Sequence, residues 1–330
     1  MTSMPVAGIR AGAPAQPADL VLRNAKIFTG DPKRPAAAAL AVRNGSVTVI
    51  GGDREVAPLV GPQTRVIDAL GHRVVPGLND SHNHVVRGGL HFVLELRWDG
   101  VRTLRGWRWC GSRPRGGELT WAAADFENFA QPRPELGPYE PEFEKAVRLL
   151  TESGWGFRWH ATYDETVRRD LAVFEKLAAE GLFPGGNRWL FDQVELVSEQ
   201  SLDRIAALGG AIGVQNRLAY QGTTFRDRYG FQAAAVAPPL GAIRSRGLNV
   251  AAGTDATRVS TCNPWVALYW LVSGCDVAGV PLRPRHNRMD RAEALASYTT
   301  GGARLTGERQ RTGRAADGHR PLDTFDPCFS

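Results

Sequence analysis

The sequence predicts an α/β protein in which a small N-terminal β-sandwich precedes a parallel sheet or (β/α) barrel. Three observations support this prediction. Short apolar segments separated by turn residues fill residues 18–75, and strand-like segments alternate with helical ones after Glu142. Such alternation is typical of parallel strands joined by crossover helices. Several polar residues also follow the strand-like segments, at the end where (β/α) barrels collect their functional side chains.

Composition limits the classes of partner and compartment. The 330 residues can bury a sizeable core, and the net charge of +6 comes from scattered arginines that form no basic stripe, so we expect no nucleic-acid partner. The four cysteines are far apart, without a C-x-x-C pair, so neither a disulfide framework nor a zinc ribbon is indicated. Residues 1–17 lack a signal-peptide core, and no apolar run of about 18 residues occurs. We therefore expect a cytoplasmic protein with no membrane partner and a disordered tail over residues 1–17.

The predicted β-sandwich covers residues 18–75. Its strands lie in ADLVLRNAKIFTG, AALAVRNGSVTVIGG and TRVIDALGHRVVPG. Asn44-Gly45, between two apolar runs, is a strong hairpin signal. The last strand runs into VVPGLNDSHNH, residues 74–84. We place the start of the barrel domain at residue 76 and its end at 308, with an irregular C-terminal tail over 309–330.

Within the barrel domain, residues 102–140 predict an irregular junction, because the segment is rich in Gly and Pro. Alternating elements follow it. An exposed connection precedes a short helix after Pro239. The predicted helices are Glu142–Ser153, DETVRRDLAVFEKLAAEG, SEQSLDRIAALGG and Arg291–Thr300, and the predicted strands are GFRWHAT, NRWLFDQVELV, AIGVQN and LNVAAGTDA.

The H-x-H motif formed by His82 and His84 is the first candidate site. Side chains two apart on a strand project from the same face, so the two imidazoles could hold one cation. Two surface imidazoles in a polar loop are the alternative. Further polar residues follow the later strands, and together with the motif they suit Zn²⁺ or a similar metal. They are His160, Gln193, Glu195, Gln215 and Asp255.

Each of the later candidates also has a structural alternative. His160 could be a core histidine with a local partner. Asp255 could cap the turn after its strand, and Glu195 could face solvent. Asp255 could instead accept a proton beside a metal and return it to a leaving nitrogen. The joint placement at strand ends favours a site.

Seven segments together carry a family resemblance. They are ADLVLRNAKIFTG, VVPGLNDSHNH, RWHATYDET, FDQVELVS, ALGGAIGVQNRLAYQG, AAGTDATRVSTCNPWVALYWLVSG and RMDRAEALASYTTGGARLTGE. The chain resembles the amidohydrolase superfamily, amidohydrolase 3 group, near the N-substituted formamide deformylase-like branch. The resemblance implies a metal-dependent (β/α)₈ barrel with an N-terminal β-sandwich. It also implies hydrolysis of a non-peptide C–N bond in a small amide-type substrate.

The same resemblance implies roles for four residues. His82 and His84 match the metal ligands of the first barrel strand, and His160 matches the histidine of the fifth. Asp255 matches the aspartate of the last strand, a metal ligand that also serves as acid and base. His160 and Asp255 are thus the predicted catalytic residues, and the expected cofactor is a divalent metal, with zinc as the first choice.

The chain departs from the family pattern at other ligand positions. Gln193 stands where the family generally has a histidine, and an amide oxygen is a poorer ligand than imidazole for such a metal. No lysine occurs between Lys33 and Lys145, so the bridging lysine of two-metal relatives has no candidate there. Glu118, Gln193 and Glu195 remain as weak ligands or substrate contacts.

Chain length is the larger departure. Only 76 residues separate His84 from His160, whereas four βα steps of about 30 residues each would be needed. We therefore predict an incomplete barrel that has lost strands through an internal deletion. Exposed strand edges would then favour a homo-oligomer. Two functions stay open: a working metal-dependent amidohydrolase, or a catalytically impaired remnant.

Overall fold

The computed structural model describes residues 16–84, 129, 138–183, 189–256, 260–306 and 313–315. These residues form two compact units, divided after Gly77 and again after Arg309. The first division falls two residues after the predicted domain boundary. The described piece of the predicted C-terminal tail belongs to the first unit, where Ala315 N donates to Thr29 O at 2.9 Å.

The first unit contains two sheets within its described residues, in the orders β5-β4-β1-β6 and β3-β2-β7. β4 and β5 pair antiparallel across Asn44 and Gly45, which both have positive φ. This is the backbone that a tight hairpin turn requires, so the predicted hairpin is confirmed. The strands are β1 Leu20–Arg23, β2 Lys26–Phe28, β3 Ala36–Ala37, β4 Ala39–Arg43, β5 Ser46–Gly51, β6 Arg65–Asp68 and β7 Arg73–Val74, and a short helix, α1, covers Asp53–Val56.

Both sheets of the first unit contribute to one apolar cluster. Ile27 of β2 and Val74 of β7 pack with Val47 and Ile50 of β5. A second cluster packs Val21, Ala39 and Ala41 against Val56 of α1. Burial of such side chains is the main favourable term that holds short strands together. The sandwich geometry itself stays a prediction.

The second unit is an α/β structure, as predicted. Its described strands form one parallel sheet in the order β11-β10-β9-β8. All but the last residue of β9 are buried, which is typical of a parallel strand covered on both faces. The strands are β8 Phe157–Tyr163, β9 Trp189–Leu196, β10 Ala211–Gln215 and β11 Asn249–Gly253.

Helices follow most of these strands and pack on a single large core. Among the described residues, no helix combines the length and apolar composition that crossing a lipid bilayer requires. The helices are α2 Glu140–Glu152, α3 Asp164–Ala179, α4 Glu199–Ala207, α5 Leu218–Ala235, α6 Leu240–Ser245, α7 Pro264–Ser273, α8 Arg291–Ala296 and α9 Gly302–Leu305, and a π-helical turn, Ser297–Gly301, joins the last two.

The predicted exposed connection before Pro239 is wrong, because α5 occupies most of it. Gly222 and Gly230 lower the helix propensity of this segment, and the helix is kinked at Gly230, where φ is 86°. Burial of Phe225 in the core supplies the stabilisation that propensity lacks. The helix α7 was not predicted. It begins after its N-cap, Asn263, and ends before Gly274, whose backbone is in the left-handed conformation.

Two predictions lie mostly or entirely outside the described residues. They are the irregular junction at 102–140, of which residue 129 and residues 138–140 are described, and the loss of barrel strands between His84 and His160. Closure of the barrel therefore stays a prediction.

Candidate metal centre

The segment Asn79–His84 lies alongside the carboxyl end of β11. Ser81 N donates to Ala252 O at 3.1 Å, Asp255 N donates to His82 O at 2.8 Å, and His84 N donates to Ala256 O. The sequence predicted a strand running into this motif, but residues 75–84 form no regular strand. Pro76 lacks the N–H that a ladder needs and Gly77 weakens extended pairing. Backbone pairing with β11 positions the H-x-H motif instead.

Two further features fix this segment against β11. The Asp80 carboxylate accepts hydrogen bonds from Thr254 N, at 3.0 Å, and from Thr254 Oγ1. A Cβ atom on Gly253 would lie 2.5 Å from His82 N, so only glycine allows the segment to come this close. The approach of the two backbones is what brings His82 next to Asp255.

His82, His84 and Asp255 form a group whose ligand atoms all lie within 4.8 Å of one another. His84 Nε2 is 2.9 Å and His82 Nε2 is 3.4 Å from Asp255 Oδ1. Asp255 is 1% exposed, yet its Oδ1 accepts no hydrogen bond of regular geometry. Two ligands of a tetrahedral zinc ion are about 3.3 Å apart. The donors and their spacing therefore fit a zinc-type cation.

The backbone at Asp255 supports a functional role. Its φ of 55° is uncommon for a residue other than glycine. Burial alone would raise the pKa of the Asp255 carboxyl, but the contacts with His82, His84 and Gln193 outweigh burial and hold the pKa below its ordinary value. The side chain is therefore a buried carboxylate at neutral pH, and it is not a simple cap of an exposed turn.

His82 lies between two carboxylates. Its Nδ1 is 3.2 Å from Asp192 Oδ1, on the side away from Asp255. Burial acts to lower the pKa of His82, but its contacts with Asp192 and Asp255 outweigh burial and raise the pKa to about 9. The metal-free centre therefore holds a proton that a cation would have to displace.

Gln193 contacts Asp255 through its amide nitrogen. Its Nε2 donates to Asp255 Oδ2 at 2.8 Å, and its buried Oε1 has no hydrogen-bond partner. Its backbone N donates to Gln215 Oε1 at 2.7 Å. Gln193 and Val194 both have positive φ, 79° and 50°, which marks a local distortion of β9. The contact to Asp255 explains how glutamine is accommodated at this position.

His160 is not a member of the group of three. Its Nε2 lies 3.2 Å from Thr162 Oγ1, and its backbone is in register with Asp192 of β9. Its predicted roles in metal binding and catalysis stay predictions, and the local partner is what the alternative of a core histidine expects.

Glu195 is 2% exposed, so the alternative that it faces solvent is wrong. It forms a buried ion pair with Arg217, whose Nη2 lies 3.0 Å from Glu195 Oε1. Burial raises the pKa of the Glu195 carboxyl above its ordinary value, and its Oε2 has no hydrogen-bond partner. Glu118, the last candidate, lies outside the described residues.

Asp192 and Arg158 form a part of the site that was not predicted from the sequence. Arg158 Nε donates to Asp192 Oδ2 at 2.6 Å, and its Nη2 donates to Asp192 Oδ1 at 2.7 Å. Burial alone would raise the pKa of Asp192, but His82 and Arg158 outweigh it and lower the pKa to about 2. The signal was present in the sequence, because a carboxylate inside the apolar run WLFDQV needs a charged partner.

Comparison with known proteins relates the chain to one family. A model of the amidohydrolase family matches residues 110–320. The protein LONG AFTER FAR-RED 3 of Arabidopsis thaliana is 41% identical over 76 residues, which are 23% of this chain and 13% of that protein. N-substituted formamide deformylase of Arthrobacter pascens is 37% identical over 67 residues, 20% of this chain and 12% of that protein. These curated relatives are thus matched over a small part of their length.

Solved structures show the same fold at low sequence identity. A metal-dependent hydrolase of Pyrococcus furiosus superposes with a TM-score of 0.67 at 16% identity, covering 91% of this chain and 97% of that one. An adenosine deaminase from Xanthomonas campestris with bound zinc has a TM-score of 0.58 at 16% identity, covering 93% and 84%. The family match extends over more than half of the chain, and the chain therefore belongs to the amidohydrolase family.

Proposed function

We propose that the chain is a zinc-dependent hydrolase that cleaves a non-peptide C–N bond in a small amide or formamide-like molecule. In this proposal a (β/α) barrel carries the centre and a small β-sandwich precedes it. The observation that carries the proposal is the convergence of two imidazole nitrogens on the buried Oδ1 of Asp255. The names of relatives, which include a formamide deformylase and an adenine deaminase, support C–N bond chemistry.

His82 Nε2, His84 Nε2 and Asp255 Oδ1 would hold the ion. Two imidazoles and a carboxylate form the ligand set of many catalytic zinc sites, with a fourth position open. When bound, such an ion lowers the pKa of water and polarises the carbonyl of a substrate.

The residues around the ligands would position the reacting groups. Gln193 Nε2 holds Asp255 Oδ2 at 2.8 Å, so the carboxylate cannot turn its Oδ1 away. We assign proton transfer to the Asp255 carboxylate: it accepts a proton as water attacks the carbonyl carbon and delivers it to the nitrogen as the C–N bond breaks. Burial of Asp255 keeps bulk water from competing for that proton.

A catalytically impaired amidohydrolase is the second candidate function. It is favoured by Gln193, which stands in place of the histidine typical of the family and is already bonded to Asp255. His160 also lies outside the group of three. A centre with fewer ligands can bind a metal weakly and turn over slowly, because activity depends on a complete and oriented set of partners.

Hydrolysis assays on purified protein distinguish the two candidates. N-formyl amines and simple amides would be screened with and without added zinc, and release of amine would be measured. The first proposal expects zinc-dependent release that is lost in His82→Ala and kept in His286→Ala, a change of an exposed histidine in the same unit. Zinc-loaded protein without activity on any amide would favour the impaired form.

A further inference from the structure

Arg283 is a buried cation in the segment that connects α7 to α8. The residue is 2% exposed. Its backbone N donates to Gly274 O at 3.1 Å, and its backbone O accepts from Arg288 Nε at 2.7 Å. Burial lowers the pKa of Arg283 to about 9, so the guanidinium still carries its charge at neutral pH. The fold therefore keeps a positive charge away from bulk water at this point.

The guanidinium of Arg283 has more donors than acceptors around it. Nη2 donates to Trp270 O at 2.6 Å, and Cζ lies 4.1 Å from the centre of the Trp270 ring. Nε and Nη1 are buried and have no hydrogen-bond partner in the part of the chain that the structure describes. An arginine presents five N–H groups, and these two nitrogens carry three of them. Three buried donors therefore lack an acceptor.

The charge of Arg283 also lacks a carboxylate partner among the described residues. Apart from burial, the groups that act on its pKa are Arg288, a second cation that lowers it, and the Cys275 thiol, which raises it. A buried charge is normally paired with an opposite charge. The site therefore has an excess of positive charge.

The acidic residues nearest to Arg283 in the sequence are engaged elsewhere. Asp276 accepts from Thr223 Oγ1 at 2.8 Å and from two backbone N–H groups of its own turn. Asp290 caps α8 by accepting from Glu293 N at 2.8 Å. Neither carboxylate supplies the opposite charge.

Stacking on Trp270 and solvation by water are the structural alternatives. The aromatic face stabilises part of the charge, and one carbonyl accepts one N–H. Desolvation of a whole guanidinium costs more than these contacts return. Water would accept hydrogen bonds from Nε and Nη1, but it brings no negative charge. An anion meets both needs at once.

We propose that Arg283 binds a small monovalent inorganic anion such as chloride, which accepts hydrogen bonds from Nε and Nη1. A small ion suits the site because Arg283 is buried, and a single negative charge balances one guanidinium. Near this site Met289 N donates to Leu271 O at 3.0 Å, so the anion stabilises the junction of α7 and α8. None of the described contacts of Arg283 involves the candidate metal centre, and the inference is independent of the proposed function.

Thermal unfolding in sodium chloride and in sodium gluconate, at equal ionic strength, tests the proposal. Gluconate is too bulky to enter a buried site, and charge screening is the same in both salts. A tenfold excess of chloride over its Kd should raise the Tm by about 3–5 °C relative to gluconate. The difference should be absent in Arg283→Met, which has a similar length but no charge. Equal Tm values of the unaltered protein in the two salts, over the whole titration, would overturn the proposal.

Arg246→Met is the matched control, because Arg246 belongs to the same unit and already pairs with Asp203 and Glu199. This variant should keep the chloride effect. A chloride effect that persists in Arg283→Met would contradict the proposal, because the anion would then bind elsewhere. If Arg283→Met does not fold, crystals of the unaltered protein grown in bromide decide. An anomalous peak within hydrogen-bond distance of Nε or Nη1 supports the site, and a crystal without such a peak overturns it.

Discussion

The two edge strands of the described parallel sheet, β11 and β8, differ in the segments that lie next to them. At β11, the segment Asn79–His84 pairs with the strand and gathers two imidazoles around Asp255. At β8, on the opposite side of the described sheet, His160 contacts Thr162 of its own strand. Both sides offer a histidine near the carboxyl end of a strand. The comparison teaches that the group at β11 depends on a second backbone segment, which brings its imidazoles to the end of the strand.

The two sides also differ in charge balance. Near β8 and β9 the buried carboxylates already have guanidinium partners, because Asp192 pairs with Arg158 and Glu195 pairs with Arg217. Asp255, at β11, faces only imidazoles through its Oδ1. A buried anion without a permanent cation is costly. Among the described residues, the end of β11 therefore offers a group of side chains that could hold a metal ion.

Removal of the Asp255 carboxylate should have the largest effect. Asp255→Asn keeps the size of the side chain but removes the charge that holds the cation and accepts the proton. We expect kcat/KM to fall by about 10²- to 10⁴-fold, the range for loss of a general acid or base. His160→Ala tests the β8 side in the same assay. Comparable losses in both variants would erase the contrast between the two sides.

A methyl group between β11 and the H-x-H segment should separate the two backbones. The new Cβ in Gly253→Ala would lie 2.5 Å from His82 N and 2.6 Å from His82 Cβ. We expect a loss of about 1–3 kcal/mol in the free energy of unfolding, as for overpacking, and weaker zinc binding. Both quantities can be measured by denaturant titration and metal competition. In Gly52→Ala, the matched control, the Cβ meets only Glu55, at 3.4 Å, and unchanged zinc affinity in both variants would contradict the expectation.

The pH dependence of zinc affinity should reflect the proton on His82. The pKa of His82 is raised to about 9 in the metal-free protein, so below that pH zinc must displace a proton. Affinity should rise about tenfold per pH unit toward pH 9.

The stability of the metal-free protein should change in the opposite direction. A raised histidine pKa stabilises the fold fully below the unfolded value of 6.5, and that stabilisation is lost as pH rises through about 9. Melting temperature and zinc competition over this range check both expectations. Affinity that does not vary with pH would show that His82 carries no displaceable proton.

An ion pair on the β8 side should have the smallest effect. Arg169 Nε donates a hydrogen bond to Glu140 Oε1 at 2.6 Å. This charged hydrogen bond lowers the pKa of Glu140 to about 2. Glu140→Gln should cost at most about 1 kcal/mol, because the pair is partly exposed. The cost should vanish as pH falls from about 4.5 to about 2, where the native carboxylate also loses its charge. Zinc affinity should not change, because the described contacts of Glu140 are with Tyr139 and Arg169 and not with the candidate ligands; a changed affinity would contradict this expectation.

The alternation of strands and helices could be predicted because it depends on local patterns. Apolar runs of four to eight residues bounded by turn residues identified β8 to β11. The helix α5 could not be predicted in this way. Its glycines at 222 and 230 suggest a loop, and only tertiary contacts of residues such as Phe225 stabilise it.

The site was predictable in its residue types but not in its pairing. His82, His84 and Asp255 were identified from spacing and family resemblance, yet 171 residues separate His84 from Asp255 in the sequence. The contact depends on backbone hydrogen bonds between Asn79–His84 and β11, which have no sequence signature. Asp192 carried a signal, a carboxylate inside an apolar run, but its partner Arg158 could not be identified, because their ion pair joins two strands.

The central claim is that one cation binds His82, His84 and Asp255 together. Anomalous diffraction at the zinc edge, recorded from crystals of the zinc-loaded protein, tests it most directly. We predict one peak about 2.0–2.1 Å from His82 Nε2, His84 Nε2 and Asp255 Oδ1. A zinc-loaded crystal with its peak elsewhere, or with none near these three side chains, would contradict the claim.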